Sequence, residues 1–377
     1  MSAGIENNND TYSGADTSLT VALDAMGGDN APECVISGAE IALSRYPDIS
    51  FLIFGDEKRL RPLIDSRQAL AAVSQIRHTD EFVTNDAKPS VALRSGRQSS
   101  MRLAIDAVSA GEASCVVSAG NTGALMAMAK YVLKTLPGID RPAIAAIIPT
   151  QKGESVLLDL GANVECKSGH LAQFAVMGAL FSKAVLGTRT PTIGLLNVGA
   201  EALKGSEVVR EAAAILQECP LPGRFDGFVE GNDITAGVVD VVVTDGFTGN
   251  VALKTAEGTA KLYAEWMKQT LQSSLMARIG YLFARSAFRK LRVRADPRRY
   301  NGAMFLGLRG ICVKSHGGTD ATGFANAIGV AADLAQNSFN AKVIEEFQRG
   351  DFGSLIDSNG AAKEGVASVG SADVAAG

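Results

Sequence analysis

Cysteine and histidine are scarce in this chain of 377 residues, which has five cysteines and three histidines. The cysteines are Cys34, Cys115, Cys166, Cys219 and Cys312, and no two of them stand at a CxxC spacing. An odd, scattered set argues against a disulfide framework and is typical of reduced thiols in a cytosol. With so few histidines as well, the sequence predicts no metal site.

Long apolar runs and aromatic residues are also lacking. No run of about 18 apolar residues occurs, and residues 1–18 are polar, so we expect neither a membrane-spanning helix nor a signal peptide. Aromatic residues make up 6% of the chain. That is too few for the stacking platforms that bind single-stranded nucleic acid, so we expect no nucleic-acid partner.

Glycine and small apolar residues are abundant instead. Glycine accounts for 40 of the 377 residues, about 11% against a usual ~7%, and 46% of the residues are hydrophobic. This composition predicts a large globular core. Residues 1–18 and 354–377 lack periodicity and are expected to be disordered tails. The length of the remaining part, residues 19–353, allows two domains or one large α/β unit, and we expect a single two-lobed α/β unit.

Short apolar runs alternate with helical patterns between the tails. The runs are mostly continuous Val, Ile and Leu, as expected for strands that are buried on both faces. This alternation predicts a doubly wound α/β fold with a mostly parallel sheet. The predicted strands are Thr20–Ala25, Ser50–Phe54, Cys115–Ser118, Ala143–Ile148, Ser155–Leu160, Thr192–Asn197, Gly227–Glu230 and Val238–Thr244. The predicted helices are Pro32–Tyr46, Ser90–Ser109, Thr122–Leu133, Gly169–Leu186, Glu201–Glu218, Thr248–Gln272 and Thr322–Phe347.

Most of the predicted strands end in a polar loop that carries glycine. Ligands of open parallel sheets bind at the carboxyl ends of the strands. We therefore expect these loops to meet at one edge of the sheet and to form the functional site there. The loops are residues 24–30, 118–123, 159–163, 197–199, 230–232 and 245–250.

Two of these loops lead into a helix and are suited to bind an anion. In the first, Gly120 and Gly123 allow backbone amides to approach a ligand, next to Asn121 and Thr122 at a helix N-terminus. The plainer alternative is that Thr122 caps the helix and the glycines only shape the turn.

The second loop has the same construction. It holds Asp245, Thr248, Gly249 and Asn250, and Lys254 lies within reach of an anion at the start of the following helix. A surface lysine whose stem covers apolar neighbours is an equally acceptable interpretation of Lys254.

Two further residues are candidates because of their place in polar turns. His316 precedes two glycines before the last predicted helix, although a lone histidine is often structural, and Asp24 ends the first predicted strand. The chain has no GxGxxG, no GxSxG and no Gly-Lys-Ser order, so it lacks the signatures of dinucleotide, serine-hydrolase and P-loop sites.

A basic island interrupts a chain that is otherwise acidic. The net charge is +7 between Arg278 and Arg299, whereas the rest of the chain carries −11 and the whole chain −4. Residues 275–292 also show an amphipathic pattern. The basic amphipathic segment 275–299 therefore predicts contact with an acidic partner protein, an anionic membrane or a neighbouring subunit. Its candidate contact residues are Arg278, Arg285, Arg289, Lys290 and Arg292.

Several of these segments together resemble the bacterial phosphate acyltransferases, the acyl-ACP:phosphate transacylases of phospholipid synthesis. The resemblance covers roughly residues 20–350 and consists of long motifs in the same order. The motifs are VALDAMGGDNAP (21–32), SAGNTGAL (118–125), LDLGAN (158–163), NVGA (197–200), FVEGND (228–233), TDGFTGNVALK (244–254) and SHGGTD (315–320).

The resemblance implies a fold similar to those of the isocitrate and isopropylmalate dehydrogenases and of phosphotransacetylase. It also implies transfer of a fatty acyl group from acyl carrier protein to inorganic phosphate by a cytoplasmic homodimer that makes peripheral contact with the membrane and needs no cofactor. The product, an acyl phosphate, would pass to a membrane glycerol-3-phosphate acyltransferase.

The residues suggest how such a reaction would be catalysed. An activated thioester needs no covalent nucleophile, only a cradle for phosphate and donors for the oxyanion. We expect His316 to donate to the leaving thiolate or the oxyanion, and Asp24 and Asp245 to orient donors. The expected catalytic residues are Asn121, His316, Lys254 and Asp245, and the expected phosphate- or oxyanion-binding residues are Gly120, Thr122, Gly123, Thr248, Gly249, Asn250 and Asp24.

Two alternative functions stay open at this point. A nicotinamide-dependent dehydrogenase on the same fold would need a run of metal-binding aspartates and an arginine cluster, whereas this sequence has only scattered acids. A non-catalytic, membrane-peripheral scaffold for lipid enzymes would use the basic segment and would not need the glycine-bearing loops.

Overall fold

The computed structural model describes residues 19–294 and 296–350, apart from the side chains of residues 291–294, 297 and 350. The tails predicted at 1–18 and 354–377 lie outside these ranges. The strands are β1 (Thr20–Asp24), β2 (Ser50–Gly55), β3 (Ser74–His78), β4 (Cys115–Ser118), β5 (Ala143–Pro149), β6 (Glu154–Leu158), β7 (Thr192–Leu196), β8 (Arg224–Val229), β9 (Val241–Val243), β10 (Ala303–Leu306) and β11 (Ile311–Lys314).

Helices cover both faces of the sheet that these strands form. They are α1 (Glu33–Arg45), α2 (Glu57–Asp65), α3 (Gln68–Ala72), α4 (Pro89–Ser95), α5 (Ser100–Ser109), α6 (Thr122–Leu133), α7 (Ser168–Phe181), α8 (Glu207–Glu218), α9 (Gly231–Ala236), α10 (Gly246–Gln272), α11 (Leu275–Arg294), α12 (Ala321–Gln336) and α13 (Phe339–Gly350). A π-helical turn extends α7 to Leu186, and a 3-10 turn spans Pro297–Tyr300.

The central strands are buried on both faces, which explains their continuous apolar sequences. In β1 the side chains of Val21 and Leu23 enter the core beneath α1, α7, α8 and α12, while Ala22 enters the core on the opposite face, beneath α5 and α6. Because successive residues of a strand point to opposite faces, a strand between two helical layers must be apolar at every position.

The strands lie in the order β3-β2-β1-β4-β11-β10-β5-β6-β9-β7-β8 within one sheet. Among the residues described, seven neighbouring pairs are parallel and three are antiparallel. The predicted α/β fold with a mostly parallel sheet is therefore confirmed.

The three antiparallel pairs reverse the direction of half of the sheet. They join β11 to β10, β10 to β5 and β5 to β6, so that β6, β9, β7 and β8 run opposite to β1, β2, β3, β4 and β11. We call the edge at the carboxyl ends of β1, β4 and β11 the first edge, and the edge at the carboxyl ends of β6, β9, β7 and β8 the second edge.

The expectation that all glycine-bearing loops meet at one edge is wrong. The loops 24–30 and 118–123 lie at the first edge, whereas the loops 159–163 and 245–250 lie at the second edge. The cause is the four-residue connection between β5 and β6. A link this short can join only antiparallel strands, since a parallel pair needs a crossover of a dozen or more residues.

Several predicted elements are shorter or are divided in the structure. The predicted helix Ser90–Ser109 is two helices, α4 and α5, and α12 and α13 are separated at Ser338, whose φ is 52°. Helix α8 begins at Glu207 rather than Glu201. Strands β3, β10 and β11 were not predicted. Each of them is only four or five residues long and lacks the alternation or length that marks a strand in sequence.

The segment Ser168–Leu186 is long and apolar enough to cross a bilayer, but 78% of its apolar 18-residue window is buried inside the structure. Every residue of α7 is buried. A helix that is apolar on all sides belongs in the core of a layered fold when other elements surround it. This segment is therefore the central helix of one helical layer.

Helices α10 and α11 form a helical hairpin that contributes little to the core. Of the 27 residues of α10 only Gly246 and Gly249 are buried, so the helix is fastened to the sheet by its first turn. Large apolar side chains are exposed on both helices, among them Trp266 and Phe283.

Candidate functional sites at the two edges

The first edge contains a closed network around Asp24. Its carboxylate accepts hydrogen bonds of 2.6 Å from both Ser100 Oγ and Ser118 Oγ. Ser118 Oγ in turn accepts from the backbone amide of Gly120 at 3.0 Å. Burial raises the pKa of Asp24, against the opposing effect of these hydrogen bonds. Through this network Asp24 connects β1 to β4. Only 1% of its surface is exposed, so a ligand has no access to the carboxylate.

Lys314 lies next to this network and was missed by the sequence-based prediction. Its ammonium donates to the carbonyl oxygen of Ala119 at 3.2 Å and to that of Ser315, and 9% of the residue is exposed. Desolvation lowers the pKa of Lys314 to about 8, although Asp24 and Asp29 act in the opposite direction. The lysine ends β11, which was not predicted, so its burial between strands could not be anticipated.

Asn121 has a structural task at the start of α6. Its Oδ1 accepts from the amide of Ala124 at 3.0 Å, which caps the helix. Its Nδ2 donates to the carbonyl oxygens of Asn85 at 2.8 Å and Ala87 at 3.0 Å, which fastens a neighbouring loop. The carboxamide therefore has no hydrogen atom left to donate to a ligand.

The remaining candidates of the first edge are more open. Thr122 is exposed, while Gly123 is tightly packed, since a Cβ there would lie 2.7 Å from Pro89 Cγ. His316 is exposed, and its Nδ1 accepts from the amide of Gly318 at 3.2 Å. The structure brings Asp24, Gly120, Asn121, Thr122, Gly123 and His316 to one edge, but the polar side chains at its centre bond to one another.

The second edge contains a comparable network around Asp159. This residue is fully buried and accepts hydrogen bonds from the amides of Ile144, Ala162 and Asn163 and from Asn163 Nδ2, at 2.7–3.1 Å. Burial raises its pKa. The first turn of α10 packs against it, since a Cβ at Gly249 would lie 1.9 Å from the Asp159 carbonyl oxygen.

Asp245 caps α10 and is satisfied by Thr248. Its two carboxylate oxygens accept from the Thr248 amide at 2.9 Å and from Thr248 Oγ1 at 2.8 Å. The amide of Gly246 donates to the carbonyl oxygen of Asn163 at 2.7 Å. The expected cradle of open backbone amides is therefore largely closed at α10, and the roles predicted for Asp245 and Thr248 are taken by helix capping.

Asn250 and Lys254 are different, because their side chains are free to meet a ligand. Asn250 is exposed, and its side chain makes no hydrogen bond with any other described residue. The carboxamide lies against Gly161, where a Cβ would be 3.7 Å from Asn250 Cγ. Lys254 is 67% exposed, and its nearest acidic partner is Glu257 at 4.0 Å. The two residues are four positions apart and so share one face of α10.

The geometry at β6 and β9 makes a crevice beside this face. Helix α7, which follows β6, packs on one side of the sheet, whereas α10, which follows β9, packs on the other. Crevices of this kind, outside the carboxyl ends of neighbouring parallel strands, are where open α/β sheets bind ligands. The structure thus separates Asn250 and Lys254 from Asn121 and His316, which the sequence-based hypothesis had combined in one anion site.

The candidate surface residues lie on α11. Arg278, Arg285, Arg289 and Lys290 are all exposed, while the side chain of Arg292 lies outside the described residues. None of the ion pairs found in the described part of the chain uses Arg285, Arg289 or Lys290. These cations are available to an acidic partner, and apolar neighbours such as Phe283, 86% exposed, accompany them.

Comparison with known proteins decides the family. A family model described as "Fatty acid synthesis protein" matches residues 19–342. A phosphate acyltransferase of Rhodospirillum centenum is 68% identical over 329 residues, which is 87% of this chain and 93% of the relative. The chain belongs to the phosphate acyltransferase family. A second member, from Rhodospirillum rubrum, is 59% identical over 332 residues, or 88% of this chain and 95% of the relative.

Membership of this family confirms the resemblance found in the sequence motifs. It makes the chain an acyltransferase of the fatty acid and phospholipid synthesis group. The family motifs are divided between the two edges, with SAGNTGAL and SHGGTD at the first and LDLGAN and TDGFTGNVALK at the second. Family motifs alone therefore do not say which edge binds the substrate.

Solved structures agree with the fold. A phosphotransacetylase from Streptococcus pyogenes superposes with a TM-score of 0.55 at 17% identity and covers 85% of this chain and 94% of its own. A branched-chain phosphotransacylase from Enterococcus faecalis gives a TM-score of 0.52 at 15% identity, with coverage of 84% and 99%. At such identities the likeness shows the fold alone, and it confirms the expected similarity to phosphotransacetylase.

Proposed function

We propose that this acyltransferase moves a fatty acyl group from acyl carrier protein to inorganic phosphate and releases an acyl phosphate and the free carrier thiol. The name of the relatives supports phosphate as the acceptor, and the family description supports a fatty acyl donor. The described residues of both edges also suit a reaction without a covalent enzyme intermediate, since neither edge holds a described serine or cysteine paired with a histidine base.

The reaction site in this proposal is the crevice between β6 and β9. The observation that carries it is the unpaired carboxamide of Asn250, which lies above Gly161 on the same face of α10 as the exposed Lys254. Gly161 has a φ of +120°, a conformation that favours glycine, and its backbone lies next to the Asn250 carboxamide. Phosphate would approach the exposed Lys254 ammonium beside Asn250.

The chemistry needs orientation and charge stabilisation. An oxygen of the monohydrogen phosphate dianion attacks the thioester carbon, a C–O bond forms, and the C–S bond breaks with its electron pair on the carrier sulfur. The proton that the acyl phosphate loses passes to this sulfur and gives the free thiol. Asn250 Nδ2 donates to the carbonyl oxygen as negative charge develops there, and Lys254 holds the dianion beside it. Orientation of two reactants supplies about 7–11 kcal/mol, and one well-placed oxyanion donor about 3–4 kcal/mol.

The proposed site does not include His316 and Asn121 of the same chain, because both residues lie at the first edge. Their predicted contact with the leaving thiolate and the oxyanion is therefore not carried into the proposal. The Asp24 and Lys314 cluster has a structural role instead, joining β1, β4 and β11.

The exposed cations of α11 are proposed to receive the acyl carrier protein. A small acidic carrier would be attracted to Arg278, Arg285, Arg289 and Lys290, and surface charge of this kind acts mainly on the association rate. The proposal includes a cytoplasmic homodimer that makes peripheral contact with the membrane and delivers its product to a membrane glycerol-3-phosphate acyltransferase. If binding of the carrier protein does not depend on the α11 cations, the same α11 surface would make the contact with the membrane.

A single assay tests the reaction. Purified protein is mixed with acyl carrier thioester, and free thiol is followed with and without inorganic phosphate. Release that depends on phosphate, together with an acyl phosphate trapped by hydroxylamine, is the expected result. Thiol release at the same rate without phosphate would overturn the proposed reaction.

A further inference from the structure

Exposed apolar side chains accompany the polar residues at the second edge. Phe247 is 63% exposed and Val251 is 51% exposed on α10, and Val164 is 66% exposed in the loop after β6. A large apolar side chain held in water is a candidate contact for an apolar ligand, particularly when several lie together.

The apolar and polar residues share one helical face. Phe247, Asn250, Val251 and Lys254 occupy positions i, i+3, i+4 and i+7 of α10, which lie above one another on a helix. Asn250 turns toward Gly161, so this face overlooks the loop that carries Val164. The opposite side of the turn faces the sheet through Gly246 and Gly249, which are buried.

An acyl thioester has the same division into a polar and an apolar part. Its carbonyl carbon must reach the attacking phosphate, while its hydrocarbon chain gains about 0.8 kcal/mol for each methylene removed from water. A site for it therefore needs polar donors directly next to an apolar surface. The α10 face provides both within about two helical turns, whereas the polar networks around Asp24 and Asp159 are closed.

We propose that Phe247, Val251 and Val164 bind the acyl chain of the donor and that Phe247 sets the preference for long chains. This inference rests on the proposed reaction at the β6–β9 crevice and adds the position of the hydrocarbon. With the carbonyl at Asn250, the first methylenes lie across the Phe247 ring and the chain continues over Val251 and Val164.

The test compares two chain lengths in two variants. Rates are measured with carrier thioesters of four-carbon and sixteen-carbon acyl groups, for the native protein, Phe247→Ser and Phe82→Ser. Phe82 is a matched control, because it is 50% exposed but lies in the loop after β3, away from the second edge. Thermal unfolding of each variant is followed in parallel, and little change is expected because both rings are largely in water.

We expect Phe247→Ser to lower the ratio of kcat/KM for the long donor to that for the short donor about tenfold, through loss of methylene contacts. Phe82→Ser should leave the ratio within about twofold of the native value. Equal losses for both chain lengths, or the same change in Phe82→Ser, would overturn the inference.

If the apolar surface formed by Phe247, Val251 and Val164 (the patch) binds something other than the acyl chain, the same variant gives a different result. If Phe247→Ser leaves the ratio unchanged but lowers the molar mass in light scattering, the patch binds a second copy of the chain. If it leaves the ratio unchanged but abolishes flotation with phosphatidylglycerol–phosphatidylethanolamine vesicles, the patch binds lipid. Either result overturns the acyl-chain assignment. Failure of the proposed function looks different, since the native protein would then form no acyl phosphate with either donor.

Discussion

The carboxamide of Asn250 lies against Gly161, so that a Cβ at Gly161 would stand 3.7 Å from both Cβ and Cγ of Asn250. This contact joins the loop after β6 to the first turns of α10. It places one uncommitted amide at the mouth of the crevice between two parallel strands. Asp159, which follows β6, is buried, and Asp245, which follows β9, caps α10, so the free donor comes from the helix rather than from the strand ends.

Replacement of Asn250 by alanine should affect turnover and leave stability almost unchanged. The side chain has no hydrogen bond to another described residue, so its loss costs the folded state little. Loss of one oxyanion donor typically lowers kcat about 10²–10³-fold. Phosphate-dependent thiol release and urea unfolding of the same preparation measure the two effects.

Asn121→Ala is the matched control and should show the reverse behaviour. It removes the cap of α6 and two hydrogen bonds to the loop at residues 85–87, which should cost about 1–2 kcal/mol of unfolding free energy. Turnover should stay within a few-fold of native under conditions where the protein is folded. A large loss of turnover in Asn121→Ala with native activity in Asn250→Ala would move the reaction to the first edge.

Two glycines of α10 should respond to alanine in opposite ways. At Gly249 a Cβ would lie 1.9 Å from the Asp159 carbonyl oxygen, so α10 must move away from β6. We expect a loss of about 1–3 kcal/mol in the free energy of unfolding, together with a loss of activity. At Gly258 a Cβ has no neighbour within 4 Å, and alanine should stabilise the helix by up to about 1 kcal/mol.

Both variants are checked by chemical unfolding and by the thiol-release assay. Gly258→Ala is the control, because it adds a methyl group to α10 at a position where no other atom lies within 4 Å. The packing argument would be contradicted by a Gly249→Ala protein that unfolds at the same denaturant concentration as Gly258→Ala.

The buried ammonium of Lys314 should make stability depend on pH in the alkaline range. Its pKa is about 8 in the folded protein and 10.5 when unperturbed. The unfolded chain therefore binds more protons between these values, and stability should rise as pH increases through that window. The expected gain is about 1–3 kcal/mol, because burial of the charged form is relieved.

The Lys314→Met variant lacks the ammonium group, so the rise of its unfolding free energy with pH should be smaller than that of the native protein. Unfolding free energies from pH 7 to 10.5 for the native protein and the variant give the difference directly. Lys58→Met removes an exposed ammonium and serves as the control, with a curve parallel to that of the native protein. A native curve that falls relative to Lys314→Met across the window would contradict the burial argument.

The cations of α11 should act on carrier affinity rather than on chemistry. Replacement of Arg285, Arg289 and Lys290 by alanine should raise the KM for acyl carrier protein several-fold at low salt and weaken its salt dependence, with kcat unchanged. The control replaces Lys58, Arg59 and Arg61, three exposed cations of α2, and should keep the native KM. Unchanged KM with lost vesicle flotation in the α11 variant would assign the surface to the membrane instead.

Local elements of the fold could be predicted well where a few residues decide them. Strand β4 and helix α6 begin and end where expected, because a short buried Val run, a capping Asn and an apolar helix lie next to one another in sequence. Strand β3 was missed, since it is an edge strand whose five residues are partly polar. Strands β10 and β11 were missed because each has only four residues, although the two pair with each other. Their other partners, β5 and β4, are far away in the chain.

The candidate site was predicted only in part for the same reason. Asn250 and Lys254 could be found from their place after a glycine turn, but Asn121 looked equivalent to Asn250 in sequence. The difference is that the carbonyl oxygens of Asn85 and Ala87 accept both hydrogen atoms of the Asn121 amide. No local sequence pattern predicts this contact. The Lys314 cluster likewise forms from three strands that only the sheet brings together.

The order of residues along the chain was enough to determine the family, the alternation of strands and helices, and the glycine turns at the strand ends. These depend on neighbours within about ten positions, where apolar period and turn chemistry act directly. Tertiary structure alone decided which turns share an edge. One short antiparallel link between β5 and β6 reverses half of the sheet, and pairings between distant segments decide which strands lie on each side of that link.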